Sequence, residues 1–207
     1  MRAMATTYLA DPDTQGLSPR AAAKAQRRVE LLRASAKIMA EKGFHAMRLE
    51  DLGEAVGVSG PAVYRHFSGK EEILTELMTG ISEHLYAEAQ EILRGIEAPR
   101  ERLEILIDFH TSFALEQSEL IRLHNRELFR MGEEGHDRVR AAQGRYLGLW
   151  AESLQRLGPA YEGDGARITA QLVVGLINAA EYLADRVSAA LLRRQVVLSA
   201  RSALGLR

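Results

Sequence analysis

From Val29 onward the apolar residues Leu32, Ala36, Met39 and Ala40 recur at intervals of three and four, the spacing that holds side chains on one face of an α-helix. The run follows Ser18-Pro19, a capping hydroxyl and then a proline where the first helical turn tolerates one, and it stops at Gly43. A shorter period in Leu49, Leu52 and Val56 ends at Gly57. Ser59 opens a third helix with Val63 and Phe67 facing inward, and Ser68 with Glu71 predicts a capping box that starts a long fourth helix reaching about Leu93. Pro99 opens a segment bearing Leu103, Leu106, Ile107, His110, Phe113 and Ala114. Further helices are predicted over residues 120–131, 136–157, 165–185 and 188–204, with Gly132, Gly135, Gly158-Pro159 and Gly163 as the breaks between them. No strand-like alternation of useful length occurs. The fold class predicted is all-α: a flexible N-terminal arm over 1–17, a three-helix domain within 18–85, and a larger helical domain over 86–207.

Composition narrows the chemistry. The chain has 207 residues and a near balance of 27 Lys+Arg against 28 Asp+Glu. Residues 1–70 hold 11 of the basic and 7 of the acidic side chains, and the remainder is acidic, which suggests a polyanionic partner for the first part. With no cysteine, disulfides, thiolate metal sites and thiol catalysis are excluded. There is neither a signal-like apolar run at the start nor a stretch of the ~18–20 apolar residues needed to span a bilayer, so a cytoplasmic protein with no membrane partner is expected.

Residues 43–74 are the most informative. Two short helices joined by a tight turn at Val56-Gly57-Val58 predict a helix-turn-helix over about residues 48–67, whose second helix fits the DNA major groove. The small groups of Gly60, Pro61 and Ala62 let the backbone approach base edges, and Arg65 suits the O6 and N7 of guanine. Ser59, Tyr64, His66 and Lys70 suit phosphate oxygens. The plainer readings stand beside these. Phe67 reads as core packing, Arg65 also as a solvated arginine, and Arg20, Lys24, Arg27 and Arg28 as helix surface or as phosphate contacts.

The motif closely resembles the TetR family of repressors. The resemblance covers about Arg27 to Leu77 and rests on Gly43-Phe44, Leu49-x-x-Leu52, the turn from Ala55 to Ser59, Pro61-x-x-Tyr64-x-His66-Phe67 and Ser68-x-Lys70-Glu71. It implies that Gly60, Pro61, Ala62 and Arg65 face bases, while Ser59, Tyr64, His66 and Lys70 face phosphates. One departure is Arg48, where family members usually carry a Ser or Thr cap. The cap is then weaker, and Arg48 adds a possible phosphate contact.

The resemblance also implies a homodimer on a palindromic double-stranded operator, dimerised through the last two helices, and a small-molecule effector bound in the second domain. Polar groups on otherwise apolar helix faces mark the candidate effector site: His110, Phe113, His124, Asn125, Tyr146, Trp150, Gln171, Asn178 and Tyr182. Each of these also reads as a satisfied core or rim residue. Leu172, Leu176, Val196 and Val197 are the candidate dimer contacts, on helices more apolar than one neighbour covers. The Arg-bearing helix over 120–131 and the aromatic inner faces fit an amphipathic organic molecule with an anionic head; the family resemblance implies one of fatty-acid or acyl-CoA type, with a lipophilic drug as the alternative. The fourth helix, which leads from the motif into the second domain, is the expected lever. Two rivals remain open on the sequence. A ligand-independent or sequence-indifferent DNA binder is one, and a metal-dependent helical enzyme is the other. No catalytic residue, metal site or cofactor is called for, since neither HExxH, a phosphate loop nor a dinucleotide fingerprint is present.

Overall fold

The structure, a computed structural model, describes Leu9, residues 11–128 and residues 131–206. Among these residues the secondary structure is helical throughout: α1 (Pro19–Lys42), α2 (Leu49–Val56), α3 (Gly60–Val63), α4 (Lys70–Ile92), α5 (Pro99–Glu116), α6 (Ser118–Glu127), α7 (Glu133–Gln155), α8 (Gly165–Asn178) and α9 (Ala189–Ala203), with short 3-10 turns at Pro159–Tyr161 and Ala179–Tyr182. Among the described residues no helix is long and apolar enough to cross a membrane.

Helix starts follow the sequence signals closely. The Ser18 hydroxyl accepts from the Ala21 N–H (3.3 Å), and Pro19 occupies the first turn. Gly43 ends α1 at φ 84°, where its N–H donates to the Met39 carbonyl (2.8 Å). The cap of α4 differs from expectation: Glu72, one residue beyond Glu71, accepts from both the N–H (2.7 Å) and the hydroxyl (2.8 Å) of Ser68.

The chain divides into two compact units. One runs up to His84 and takes in Arg126–Arg140; the other comprises Leu85–Asn125 and the chain from Ala141 onward. The break at 84/85 falls beside the expected boundary, but residues 126–140 pack with the first unit rather than the second. Close approach explains this. A Cβ on Gly135 would stand 2.6 Å from the Thr75 hydroxyl of α4, and Val139 is completely buried. The part of the N-terminal arm that is described is attached rather than free. Leu9 is buried, its carbonyl accepts from Arg33 (3.1 Å), and Asp11 pairs with Arg33 (3.0 Å). Residues 1–8 and 10 lie outside the described residues.

In the first unit, Leu31, Leu32 and Met39 of α1 pack with Leu49 and Leu52 of α2, Val63, Phe67, and Ile73, Leu74 and Leu77 of α4. In the second unit α5 packs on α8 and α9, with Leu103, Leu106, Trp150, Val173, Ile177, Leu192 and Ala200 in the core. Val196 joins this core, at 7% exposure, and so is not available to a partner as the sequence reading had it. Leu172 is exposed, and Leu176 and Val197 are half-buried.

Candidate nucleic-acid interface and buried polar cluster

The turn between α2 and α3 is built on two glycines. Gly57 takes the left-handed conformation (φ 72°, ψ 33°), and its N–H donates to the Glu54 carbonyl (3.2 Å). Val58 then donates to the Gly53 carbonyl (2.8 Å), which draws the chain so close that a Cβ on Gly53 would lie 2.7 Å from the Val58 carbonyl oxygen. A helix of four residues cannot hold itself together, so α3 depends on this frame and on the buried Val63 and Phe67.

The positions singled out from the sequence lie on the outer side. Ser59, Pro61, Tyr64 and Arg65 are exposed, Tyr64 at 56%, while Gly60 and Ala62 are half-buried. Ser59 and Arg48 cap α3 and α2 by position, yet neither side chain makes a capping hydrogen bond, so both remain available to a ligand. His66 is half-buried. Burial, then the charges of Lys24, Arg28 and Arg27, holds its pKa below the ordinary value, which leaves a neutral imidazole at pH 7. Lys70 is partly engaged, donating to the carbonyls of Phe44 (3.4 Å) and His45 (3.2 Å) and lying over the Phe44 ring. Arg27 likewise serves the fold, through the Val56 carbonyl (3.1 Å).

The second unit contains a buried polar cluster. The Tyr146 hydroxyl donates to His110 Nδ1 (3.0 Å), and His110 Nε2–H donates to the Asn178 side-chain oxygen (3.0 Å). This arrangement selects the neutral tautomer protonated on Nε2. Phe113 and Trp150 flank the same imidazole, with ring centroids at 6.2 and 6.3 Å. A second chain of hydrogen bonds runs from Gln143 to His124, from His124 Nδ1–H to Asn125 (3.4 Å), and from Asn125 to Glu181 (3.2 Å), whose other oxygen accepts from Arg122 (3.3 Å). Among the described residues of this unit, two buried side-chain polar atoms have no hydrogen-bond partner, the Trp150 indole N–H and the Thr111 hydroxyl. Burial pushes the Tyr146 phenol up. The neighbouring Trp150 works against that rise.

Seven of the nine candidate effector residues thus stand in these two chains or against them, and two do not. Gln171 and Tyr182 are exposed, Tyr182 at 64%. The single helix predicted over residues 165–185 would set Asn178 and Tyr182 on one side, but α8 ends at Asn178 and a 3-10 turn changes the register. The sequence reading missed Gln143, Glu181 and Arg122. Glu181, a lone carboxylate after Ala179-Ala180, was the one available signal. Among the described residues, no three His, Asp or Glu side chains are grouped as metal ligands would be.

Burial lowers the His110 pKa from 6.5 to about 4, and His124 is lowered for the same reason. An unfolded histidine binds a proton in this window while folded His110 does not, so stability falls as pH falls from 6.5 toward 4, by up to about 1.4 kcal/mol per pH unit for His110 alone. The melting temperature of the wild type is therefore expected to drop more steeply between these pH values than that of His110→Gln. Parallel profiles would contradict a buried neutral His110.

Residues 31–77 match the family model described as "Bacterial regulatory proteins, tetR family". The HTH-type transcriptional repressor KstR2 of Mycobacterium tuberculosis is 30% identical over 122 residues, covering 55% of this chain and 61% of that protein. The match therefore spans less than two thirds of the repressor. Among solved structures, the transcriptional regulator FadR of Bacillus subtilis, in complex with stearoyl-CoA, has a TM-score of 0.69 at 18% identity, covering 84% of this chain and 97% of that one. AibR, in complex with isovaleryl coenzyme A and operator DNA, has a TM-score of 0.69 at 15% identity, covering 83% and 96%. At such identities these two structures show a shared fold. All three similar proteins carry the names of regulators or their complexes with DNA or coenzyme A thioesters.

Proposed function

We propose that the chain is a ligand-responsive transcriptional repressor of the tetR family, whose model its residues 31–77 match. In this reading it binds a palindromic operator as a homodimer and releases it when a small amphipathic acyl compound occupies the C-terminal unit. The observation that carries the reading is the outward row of Ser59, Pro61, Tyr64 and Arg65 on a recognition helix held by a glycine-built turn. Two such helices, related by the dimer axis, enter successive major grooves about 34–36 Å apart. Arg65 reads a guanine edge, and the small Gly60, Pro61 and Ala62 permit close approach. Arg48, Ser59, Tyr64, His66 and Lys70 face phosphates, Lys70 with the hydrogen-bonding capacity the Phe44–His45 turn leaves it. A DNA partner places the protein in the cytoplasm.

The experiment is selection of duplexes from a randomised pool by the wild-type protein and by Arg65→Ala. The wild type is expected to return a two-fold symmetric site, and Arg65→Ala to relax one position per half-site by about 1–3 kcal/mol. A flat wild-type profile would sink the reading in favour of a sequence-indifferent binder. An unchanged profile for the variant would return Arg65 to plain surface.

The effector is read from the buried cluster. Both histidines are neutral at pH 7, and the Arg122 charge is matched by Glu181, so none of these three side chains offers a spare cation to a carboxylate. The interior does offer an unpaired donor in the Trp150 indole N–H. A carbonyl oxygen suits that donor, and a free acid does not suit the surroundings. An acyl thioester combines such a carbonyl with an apolar chain, and FadR and AibR, similar in fold, are seen with coenzyme A thioesters. The dimer reading rests on the apolar outer side of α8 and α9, where Ile168, Leu172, Leu191 and Leu198 are exposed.

A further inference from the structure

Arg28 lies on α1, in a stretch of basic residues whose sequence suggests either solvated surface or phosphate contacts. In the structure its guanidinium is engaged on every side within its own unit. Nη1 donates to the carbonyl of His66, just past α3. Nε donates to Glu76 (3.0 Å) and Nη2 to Glu72 (3.0 Å), both on α4, and Nη2 also reaches the second oxygen of Glu76. The guanidinium lies 4.1 Å from the centroid of the buried Phe67 ring. Glu72 extends the arrangement, because its other oxygen accepts from the N–H and hydroxyl of Ser68. His66, Phe67 and Ser68, the three residues through which α3 leaves toward α4, are thus each held by Arg28 or by a carboxylate bound to it.

We infer that Arg28 is a positioning residue for sequence reading: with Glu72 and Glu76 it clamps the exit of the recognition helix, and so fixes the angle at which Arg65 is presented to base edges. The inference rests on the DNA-binding function proposed above. The physical case is that α3 has four residues and no capping side chain at Ser59, so its own hydrogen bonds cannot set its direction. The frame at its start comes from Gly53 and Gly57. At its exit, a polar frame comes from the guanidinium fork, whose planar geometry reaches a carbonyl and two carboxylates at once. A lysine, with a single ammonium, cannot reproduce that fork. Phosphate contact is the competing role, and it is unfavoured because two glutamates already neutralise the charge and a third of the side chain at most is exposed, at 32%.

The two roles give opposite results in binding measurements. Wild type, Arg28→Lys, Arg28→Met and Glu76→Gln are titrated, over a range of salt, with the duplex selected from the randomised pool and with an unrelated duplex. Circular dichroism fixes the folded fraction at the working temperature. The clamp predicts that all three variants lose about tenfold or more in affinity for the selected duplex, out of the roughly 10³–10⁷-fold that separates specific from non-specific binding. Affinity for the unrelated duplex and the salt slope stay close to those of the wild type. Glu76→Gln is the sharpest arm, because removing an acidic group raises DNA affinity by general electrostatics, and a fall is expected only if the carboxylate positions the reader.

Several results overturn the clamp. One is Glu76→Gln binding the selected duplex as tightly as the wild type. Another is Arg28→Lys retaining full affinity while Arg28→Met weakens both duplexes equally with a salt slope smaller by about 1, the behaviour of a phosphate contact. A loss accounted for entirely by the unfolded fraction also overturns it, since Arg28 then contributes only stability. If the wild type itself fails to distinguish the two duplexes, the DNA-reading function falls and the clamp with it. If every variant discriminates as the wild type does, the clamp alone falls.

Discussion

A Leu172→Arg variant is expected to sediment as a folded monomer at micromolar concentration and to bind its operator about 10²–10⁴-fold more weakly than the wild type. The side chain is 67% exposed on α8, and Ile168 on the same helix and Leu191 and Leu198 on α9 are also exposed. The inward side of α8 is already filled by Ala166, Ala170, Val173, Val174 and Ile177, so these outer residues contribute little within one chain. An arginine at an exposed site therefore changes the stability of the single chain by no more than about 0.5 kcal/mol. Across a two-fold axis the same substitution sets two charges against apolar surface and against each other. The affinity loss follows because two linked half-sites bind with a high effective concentration that a monomer forfeits. A variant that remains dimeric, or a monomer with undiminished operator affinity, would contradict the proposed interface.

Gly53→Ala is expected to give the second large effect: a destabilisation of about 1–3 kcal/mol by overpacking, together with loss of operator-specific binding. The added methyl would sit 2.7 Å from the Val58 carbonyl oxygen and 3.2 Å from the Gly60 nitrogen. Both are backbone atoms of the turn that launches α3, so relief requires moving the recognition helix itself. Gly60→Ala serves as the control for stability, since its methyl meets only the Glu50 side chain at 3.5 Å, an ordinary contact. Thermal unfolding and gel shifts with the selected duplex measure both effects. A Gly53→Ala protein that melts and binds like the wild type would show that α3 does not depend on this close approach.

The helix-turn-helix was legible because its signals are local. Ser18-Pro19, Gly43 and the left-handed Gly57 each mark a boundary through the conformation of one or two residues, and the structure places them as the pattern predicts. The outward row of Tyr64 and Arg65 follows from the inward Val63 and Phe67. What escaped depends on residues far apart in sequence. Nothing near Arg28 announces the acceptors at residues 66, 72 and 76, nor does residue 135 announce the hydroxyl of Thr75 that draws residues 126–140 into the first unit. In the second unit the polar residues His110, Tyr146 and Asn178 were recognisable as misfits on apolar faces. Of the partners that complete the second chain, Gln143 and Arg122 sit at positions that read as surface, and Glu181 is marked only by the two alanines before it. Extending a helical period through residues 165–185 put Tyr182 in the cluster, and the 3-10 turn after Asn178 takes it out. Val196 was assigned to the partner because an apolar position does not itself say which chain covers it.

The central claim is that an acyl thioester and operator DNA oppose each other on this protein. A ligand weakens DNA binding only if it prefers a conformation that binds DNA less well, and the coupling is reciprocal. The direct measurement titrates a series of acyl-CoA thioesters of increasing chain length, up to stearoyl-CoA, into the protein with and without the selected operator duplex, following heat and DNA anisotropy together. The account predicts that at least one member binds, that operator affinity then falls by about 5–150-fold, and that the duplex weakens the thioester by the same factor. Thioester affinities that are identical with and without operator, or no binding by any member of the series, would contradict it.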